Sequence, residues 1–276
     1  MSEDAQQKNT GGMSMIDDIS VPLLTGGDKL KREDETLDTL FEGELKLFQA
    51  RHGYRFSLDA LLLPQFMTRR RGEKIADLGT GNGVMALVLA YLDSSLSITG
   101  VEIQLGMIDR ANRNIRLNEL QERMTIRQAD VASIQNTFGP ESFAAVVCNP
   151  PYRRMSSGRI SATAERKIAR HEITAGLADF LRAGAYLLPM KGRMALVYPA
   201  SRLVDVLQSM RDANLEPKRL RMVHSFAGAS ASLVLVEGVK GGKSGIEALW
   251  PLIVYQNGKR YTAEVEAILA GTAPLR

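Results

Sequence analysis

From Lys74 onward, short apolar runs alternate with stretches that repeat their apolar residues every three or four positions. Ile75-Ala76-Asp77-Leu78 predicts a short buried strand, and Val84 to Leu92 an apolar helix. Ser97 to Glu102 predicts a second strand. Met107, Ala111, Ile115 and Leu117 place one apolar face on a following helix. Met124 to Ala129 and Ala144 to Cys148 read as the third and fourth strands. A helix from Ile173 to Leu188, a strand from Met194 to Tyr198 and a helix from about Arg202 to Ala213 continue the alternation. Arg219–His224 and Leu233–Glu237 read as strands flanking the turn-rich Ala227-Gly228-Ala229-Ser230. Alternating strand and helix units predict an α/β fold, with a mostly parallel sheet and helices on both faces. Before this region, Leu37, Leu40 or Phe41, Leu45 and Leu47 alternate about Glu42-Gly43, the pattern of a hairpin. Residues 1–30 are polar, glycine-containing and aperiodic, the pattern of a flexible extension.

Composition narrows the class. Of the 276 residues, 45% are hydrophobic and 24% charged, which is ordinary for a globular chain. A single cysteine excludes an internal disulfide framework and a cysteine-rich zinc site. Cys148 falls in the fourth strand and reads as a small core residue. His52, His171 and His224 adjoin no ligand-spaced partners, so no metal is expected. With no signal peptide and no long apolar span, the expectation is a cytoplasmic protein without a membrane partner. The net charge is +4, but residues 1–40 carry nine acidic and four basic side chains, leaving about +9 on the rest. A basic body suits a polyanionic partner.

Asp77-Leu78-Gly79-Thr80-Gly81-Asn82-Gly83 joins the first strand to its helix, where open α/β sheets bind ligands. A dinucleotide fingerprint needs glycine or alanine at position 84, which is Val84. An acid at Asp77 favours a ligand with a cationic amine over one with a pyrophosphate, and S-adenosylmethionine carries such an amine. Glu102 ends the second strand 19 residues after Gly83, where a carboxylate can accept from both ribose hydroxyls. Ile103 would then pack on the adenine face. Asp130 either accepts from the adenine amino group or caps a helix.

Asn149-Pro150-Pro151-Tyr152 follows the fourth strand directly. Asn149 and Pro150 both precede prolines and are biased to extended backbone, so the loop is stiff. The Asn149 side-chain oxygen and the Pro150 carbonyl can each accept one N–H of a planar amino group. That pairing favours a pyramidal nitrogen with its lone pair aimed at a methyl donor. Tyr152 can stack on a base, worth about 1–3 kcal/mol. Such chemistry is a direct in-line displacement carried by positioning and electrostatics.

With both motifs in place, the chain resembles the class I S-adenosylmethionine-dependent methyltransferases of the NPPY amino-methylating group. Within that group it is similar to the bacterial tRNA1(Val) adenine-N6 methyltransferase family. Gly53-Tyr54-Arg55-Phe56-Ser57-Leu58-Asp59-Ala60-Leu61-Leu62-Leu63, Ala169-Arg170-His171-Glu172 and Pro217-Lys218-Arg219-Leu220 carry that likeness, which covers about residues 37–270. The resemblance implies a Rossmann-like, seven-stranded sheet with a reversed final strand. It also implies N6-methylation of the anticodon-loop adenine just 3′ of the anticodon in a valine tRNA. Carried over, Asn149, Pro150 and Tyr152 are the catalytic grip. Asp77, Gly79, Gly81, Gly83, Glu102, Ile103 and Asp130 bind the cofactor, and the segment from Arg55 to Asp59 covers it. The implied organisation is a flexible acidic extension at 1–30, a hairpin and cofactor-covering segment at 31–72, a methyltransferase domain at 73–241 and a C-terminal extension at 242–276.

Arg153, Arg154, Arg159, Arg166, Lys167 and Arg170 follow the tetrapeptide and are expected to contact tRNA phosphates. Arg69-Arg70-Arg71 and Lys218, Arg219, Arg221 form two further basic groups. Two other substrates fit the same tetrapeptide, a release-factor glutamine and a guanine N2 of ribosomal RNA. The first normally goes with a long N-terminal helical domain, whereas about 70 residues precede the first strand of the sheet here.

Overall fold

The computed structural model describes residues 30–52, 55–152, 175–258 and 260–272. The six basic residues from Arg153 to Arg170 lie outside the described residues, as do Gly53, Tyr54 and His171. Strand β1 (Glu35–Leu40) and strand β2 (Leu45–Ala50) form the expected hairpin, pairing antiparallel from Glu35 opposite Ala50 to Leu40 opposite Leu45. Helix α1 (Asp59–Phe66) follows, with all eight residues buried.

Strand β3 (Lys74–Leu78), helix α2 (Val84–Leu92), strand β4 (Ser97–Glu102), helix α3 (Leu105–Leu117), strand β5 (Met124–Gln128) and strand β6 (Ala145–Cys148) reproduce the predicted alternation. Helix α4 (Leu177–Leu187), strand β7 (Arg193–Pro199), helix α5 (Leu203–Asp212) and strands β8 (Leu215–Phe226) and β9 (Ala231–Lys240) complete it. β8 and β9 extend well beyond the apolar runs that announced them, because each continues through charged residues that remain in the ladder.

The sheet order is β8-β9-β7-β6-β3-β4-β5. β3, β4, β5, β6 and β7 run parallel to one another, and β9 runs antiparallel to both β7 and β8. This is the seven-stranded arrangement with one reversed strand. The sheet does not stop there. Strand β10 (Glu247–Ala248) pairs parallel with β8, strand β11 (Leu252–Asn257) extends along it, and strand β12 (Arg260–Tyr261) closes antiparallel on β11. Helix α6 (Ala263–Leu269) then returns to α1, where Gln65 Nε2 donates to Ile268 O at 2.7 Å.

Strands covered on both faces read as nearly unbroken apolar runs, and β3, β6 and β7 do so. Ile75, Ala145, Val147, Ala195 and Val197 join one core with α1 and α2, whereas Ala76, Leu78, Val146, Cys148, Met194 and Leu196 join a second with α4 and α5. The sheet is thereby held rigid between two layers, and its strand ends are fixed platforms for the loops above them.

Two side-chain devices fasten the hairpin to α3. Asn118 and Asn114 bond the backbone of Lys46 and Phe48, with the Phe48 N–H 2.6 Å from Asn114 Oδ1. Glu35, fully buried, receives Arg113 Nη1 at 2.6 Å and Arg110 Nε at 2.7 Å. Burial alone would raise the Glu35 carboxyl, but the Arg113 and Arg110 hydrogen bonds outweigh it and hold it at about 2. Among the described residues, no helix is long and apolar enough to cross a membrane, and no cluster of His, Cys, Asp or Glu could hold a metal ion.

Candidate active site

The turn after β3 needs its glycines. Gly79, Gly81 and Gly83 sit at φ of 70°, 57° and 86°, the left-handed region that an L side chain rarely adopts. Gly79 N and Thr80 N both donate to Val101 O, at 2.9 and 3.0 Å, which folds the turn over the end of β4. Gly81 N donates to Glu102 Oε2 at 3.0 Å. The other Glu102 oxygen accepts from Ile103 N and Gln104 N, both at 2.9 Å. A carboxylate offers about four acceptor sites, so these bonds leave Oε2 with room for one strong bond more readily than for two.

Asp77 is fully buried beneath the turn and does not line the cavity above it. Its Oδ2 accepts from Thr80 Oγ1 at 2.6 Å, and its Oδ1 has no hydrogen-bond partner among the described residues. Burial pushes the Asp77 carboxyl up to about 7, against the Thr80 bond, with the Glu102 charge adding to the rise. A buried acid with an unpaired oxygen is poised for a positive charge nearby.

Asn149, at the end of β6, lines the same cavity. Its Nδ2 donates to Asp59 Oδ2 at 3.0 Å, and Tyr152 Oη donates to that same oxygen at 2.6 Å. The Tyr152 ring meets Tyr198 edge-on, with centroids 5.5 Å apart. Pro150 is buried at the strand end. Asp59 thus touches the tetrapeptide, whereas the sequence places it with the cofactor.

The cavity has a volume of about 370 Å³. Gly79, Gly81, Glu102, Ile103 and Asp130, expected at the cofactor, all line it, and Gly83 does not. A Cβ added at Gly81 would meet no atom of the described residues within 4 Å, so the bare backbone there leaves space for a ligand. Asp130 caps the 3₁₀ turn Val131–Asn136 through Ala132 N at 2.9 Å and also lines the cavity. The lining residues fit S-adenosylmethionine: a carboxylate at the strand end for a ribose, a glycine turn open to backbone contact, and apolar Ile103, Val131 and Phe180.

Several residues in and around the site carry no signal in the sequence. Phe180 comes from α4, and its ring lies 3.1 Å from where a Gly79 Cβ would sit. Asn114, buried on α3, donates to Asn82 O at 3.0 Å and so ties the glycine turn to the hairpin. Thr80 and Asn82 were in view only as the spacers of the glycine turn.

Of the other two basic groups, one lies far from Asn149 with Arg70 and Arg71 exposed, and the other is largely engaged within the protein. Arg69-Arg70-Arg71 precede β3, at the end of the strands opposite to the one that carries Asn149. Arg221 is buried, bonding Trp250 O at 2.8 Å and Glu264 at 2.7 Å. Arg219 bonds Thr68 Oγ1 at 2.8 Å and lies over the Phe66 ring. Arg55 is held to the hairpin through Thr36 and Asp38.

The profile of the methyltransferase small domain matches residues 57–199, which spans the glycine turn, Glu102 and the tetrapeptide. The chain belongs to this methyltransferase family. It has the Rossmann-like class I S-adenosylmethionine-dependent methyltransferase fold, with the hairpin added at one end. It is 30% identical over 207 residues to a tRNA1(Val) (adenine(37)-N6)-methyltransferase of Actinobacillus succinogenes, covering 75% of this chain and 84% of that one. A protein of the same name from Porphyromonas gingivalis is 29% identical over 163 residues, 58% of this chain. That match spans 63% of the relative's own length. Among solved structures, a predicted O-methyltransferase from Agrobacterium tumefaciens superposes with a TM-score of 0.64 at 21% identity, over 79% of this chain and 98% of that one. A type I restriction-modification methyltransferase subunit from Streptococcus thermophilus gives 0.55 at 21% identity, over 79% of this chain and 52% of that one. At such identities these likenesses speak to the fold alone.

Proposed function

We propose that this methyltransferase transfers a methyl group from S-adenosylmethionine to the N6 amino group of an adenine in tRNA. The proposed target is the anticodon-loop adenine just 3′ of the anticodon in a valine tRNA. The observation that carries the reading is Asn149, which lines the cofactor cavity from the end of β6 with its amide nitrogen already bonded to Asp59.

S-adenosylmethionine supplies an electrophilic methyl on a sulfonium. The chain's residues do the rest. Glu102 holds a ribose hydroxyl, and the glycine turn accommodates the methionine end near the buried Asp77 charge. Asn149 Oδ1 and the Pro150 carbonyl each accept one N–H of the adenine amino group, which draws its lone pair out of the ring. Tyr152 stacks on the base. The nitrogen forms the new bond to carbon as the carbon–sulfur bond breaks. The sulfur keeps that electron pair, and the amine's surplus proton passes to solvent. A loop adenine is cheaply extruded, because no duplex holds it. The names of the relatives from Actinobacillus succinogenes and Porphyromonas gingivalis support tRNA as the substrate.

Incubation with methyl-labelled cofactor and separate total tRNA, ribosomal RNA and release factor, followed by nucleoside and amino-acid analysis, tests the reading. Labelled N6-methyladenosine in tRNA alone is expected. Label in release-factor glutamine or in ribosomal guanine instead would overturn it.

A further inference from the structure

We propose that Asp59 is a positioning residue for methyl transfer: it decides which atom of the Asn149 amide faces the substrate and sets Tyr152 in register with it. The inference rests on the methyl-transfer reading above and concerns how that site is assembled.

Asp59 Oδ2 takes Asn149 Nδ2 at 3.0 Å and Tyr152 Oη at 2.6 Å, while Oδ1 takes Ser57 Oγ and Ala60 N, the latter at 3.0 Å. Four donors fill the roughly four acceptor sites of a carboxylate. Asp59 therefore has nothing left for a ligand ammonium, and its role is internal to the protein.

A carboxylate only accepts, so the group that Asn149 turns toward it must be the amide nitrogen. The Asn149 oxygen is thereby left for the substrate amino group, which needs an acceptor. The opposite flip would present an N–H2 donor to the substrate's own N–H2 and leave nothing to hold it. The same oxygen of Asp59 binds Tyr152, so the side chain that grips the amine and the ring that stacks on the base share one anchor.

That anchor is stiff. Asp59 is 5% exposed and begins α1, whose residues are all buried. Its neighbour Ala60 lines the cofactor cavity. The start of α1 therefore touches both the donor side and the acceptor side of the reaction, which a segment that merely covers the cofactor would not do.

The test compares the full chain with Asp59→Ala and Asp59→Asn, the latter supplying one acceptor oxygen where two are used. A misdirected amide is expected to lower kcat about 100-fold in Asp59→Ala. KM and Kd for S-adenosylmethionine should stay within about 3-fold of wild type, since the lost interaction belongs to the transition state. Should Asp59→Ala not fold, Asp59→Asn carries the same kcat-against-KM comparison. A second readout does not depend on the substrate. In protein carrying ¹⁵N-asparagine, the Asn149 side-chain amide signal is the one missing from Asn149→Ala, and it should shift in both Asp59 variants. Wild-type kcat, an unmoved Asn149 signal, or a defect explained wholly by lost cofactor affinity would overturn the proposal. If wild type transfers no methyl to tRNA, the substrate reading falls alone, and the amide signal still decides the Asp59 contact.

Discussion

The backbone N–H of Gly81 donates to Glu102 Oε2 at 3.0 Å, so the turn after β3 and the tip of β4 are fastened to each other by the carboxylate expected to hold the cofactor ribose. The turn's fastening and the proposed ribose contact therefore share one side chain. Glu102→Gln keeps the shape but supplies a single acceptor oxygen. Either Gly81 N or the Ile103 and Gln104 N–H pair then loses its partner. Bonds to a charged acceptor contribute about 1.5–3 kcal/mol, so cofactor affinity should fall about 10–100-fold, with a lower melting temperature. Titration calorimetry on the variant checks this; unchanged affinity would remove Glu102 from the site.

Gly81→Ala separates folding from binding. Among the described residues nothing lies within 4 Å of the new Cβ, so the cost to the fold is that of the φ of 57°, about 1–2 kcal/mol. The methyl group would occupy space reserved for the ligand. The variant should fold and show a loss of cofactor binding larger than its loss of stability, measured by calorimetry beside thermal melts. Equal binding by Gly81→Ala would mean that the ligand lies elsewhere in the cavity.

The turn and the tetrapeptide were legible because their chemistry is local. Three glycines at alternate positions fix a turn, and Asn149-Pro150-Pro151-Tyr152 fixes an extended loop, whatever surrounds them. The missing parts act over long sequence distances. Asn114 reaches Phe48 and Asn82, and Asp59 reaches Asn149 and Tyr152 across some ninety positions. A single polar residue in an apolar segment gives no sign of such a partner. α1 was hidden for another reason: all eight of its residues are buried, so no polar face marks a helical period. Arg219 and Arg221 are ambiguous in the sequence, since a guanidinium paired across β8 and β9 or with α6 reads the same as one awaiting a phosphate.

Asp77 makes the unliganded protein sensitive to pH. Its carboxyl is raised from 3.8 to about 7 on folding, so the folded state holds its proton longer than the unfolded chain does. The stability it contributes is complete below about pH 4 and is lost as pH rises through 7. The loss should be on the order of a few kcal/mol. Denaturant melts of Asp77→Asn should show a flatter dependence of stability between pH 4 and about pH 7 than wild type. An identical slope would mean that Asp77 stays ionised throughout.

Glu35 sets a different limit at low pH. Its folded pKa of about 2 lies below the ordinary 4.5. The stability from its arginine pairs is present above 4.5 and drains away as pH falls toward 2. Glu35→Gln takes the charged partner from half-buried Arg110 and leaves buried Arg113 with Asp109 alone; breaking a buried pair typically costs about 3–5 kcal/mol. Urea melts at neutral pH measure that cost, and a loss under about 1 kcal/mol would mean that α3 holds the hairpin without the pair.

The central claim is that Asn149 grips the amine that accepts the methyl group. Its most direct test is single-turnover transfer of labelled methyl to tRNA by wild type and Asn149→Ala, with cofactor affinity measured on both. The account predicts N6-methyladenosine from wild type, at least about a 100-fold slower transfer from Asn149→Ala, and cofactor binding retained in the variant. Transfer at the wild-type rate by Asn149→Ala would contradict it.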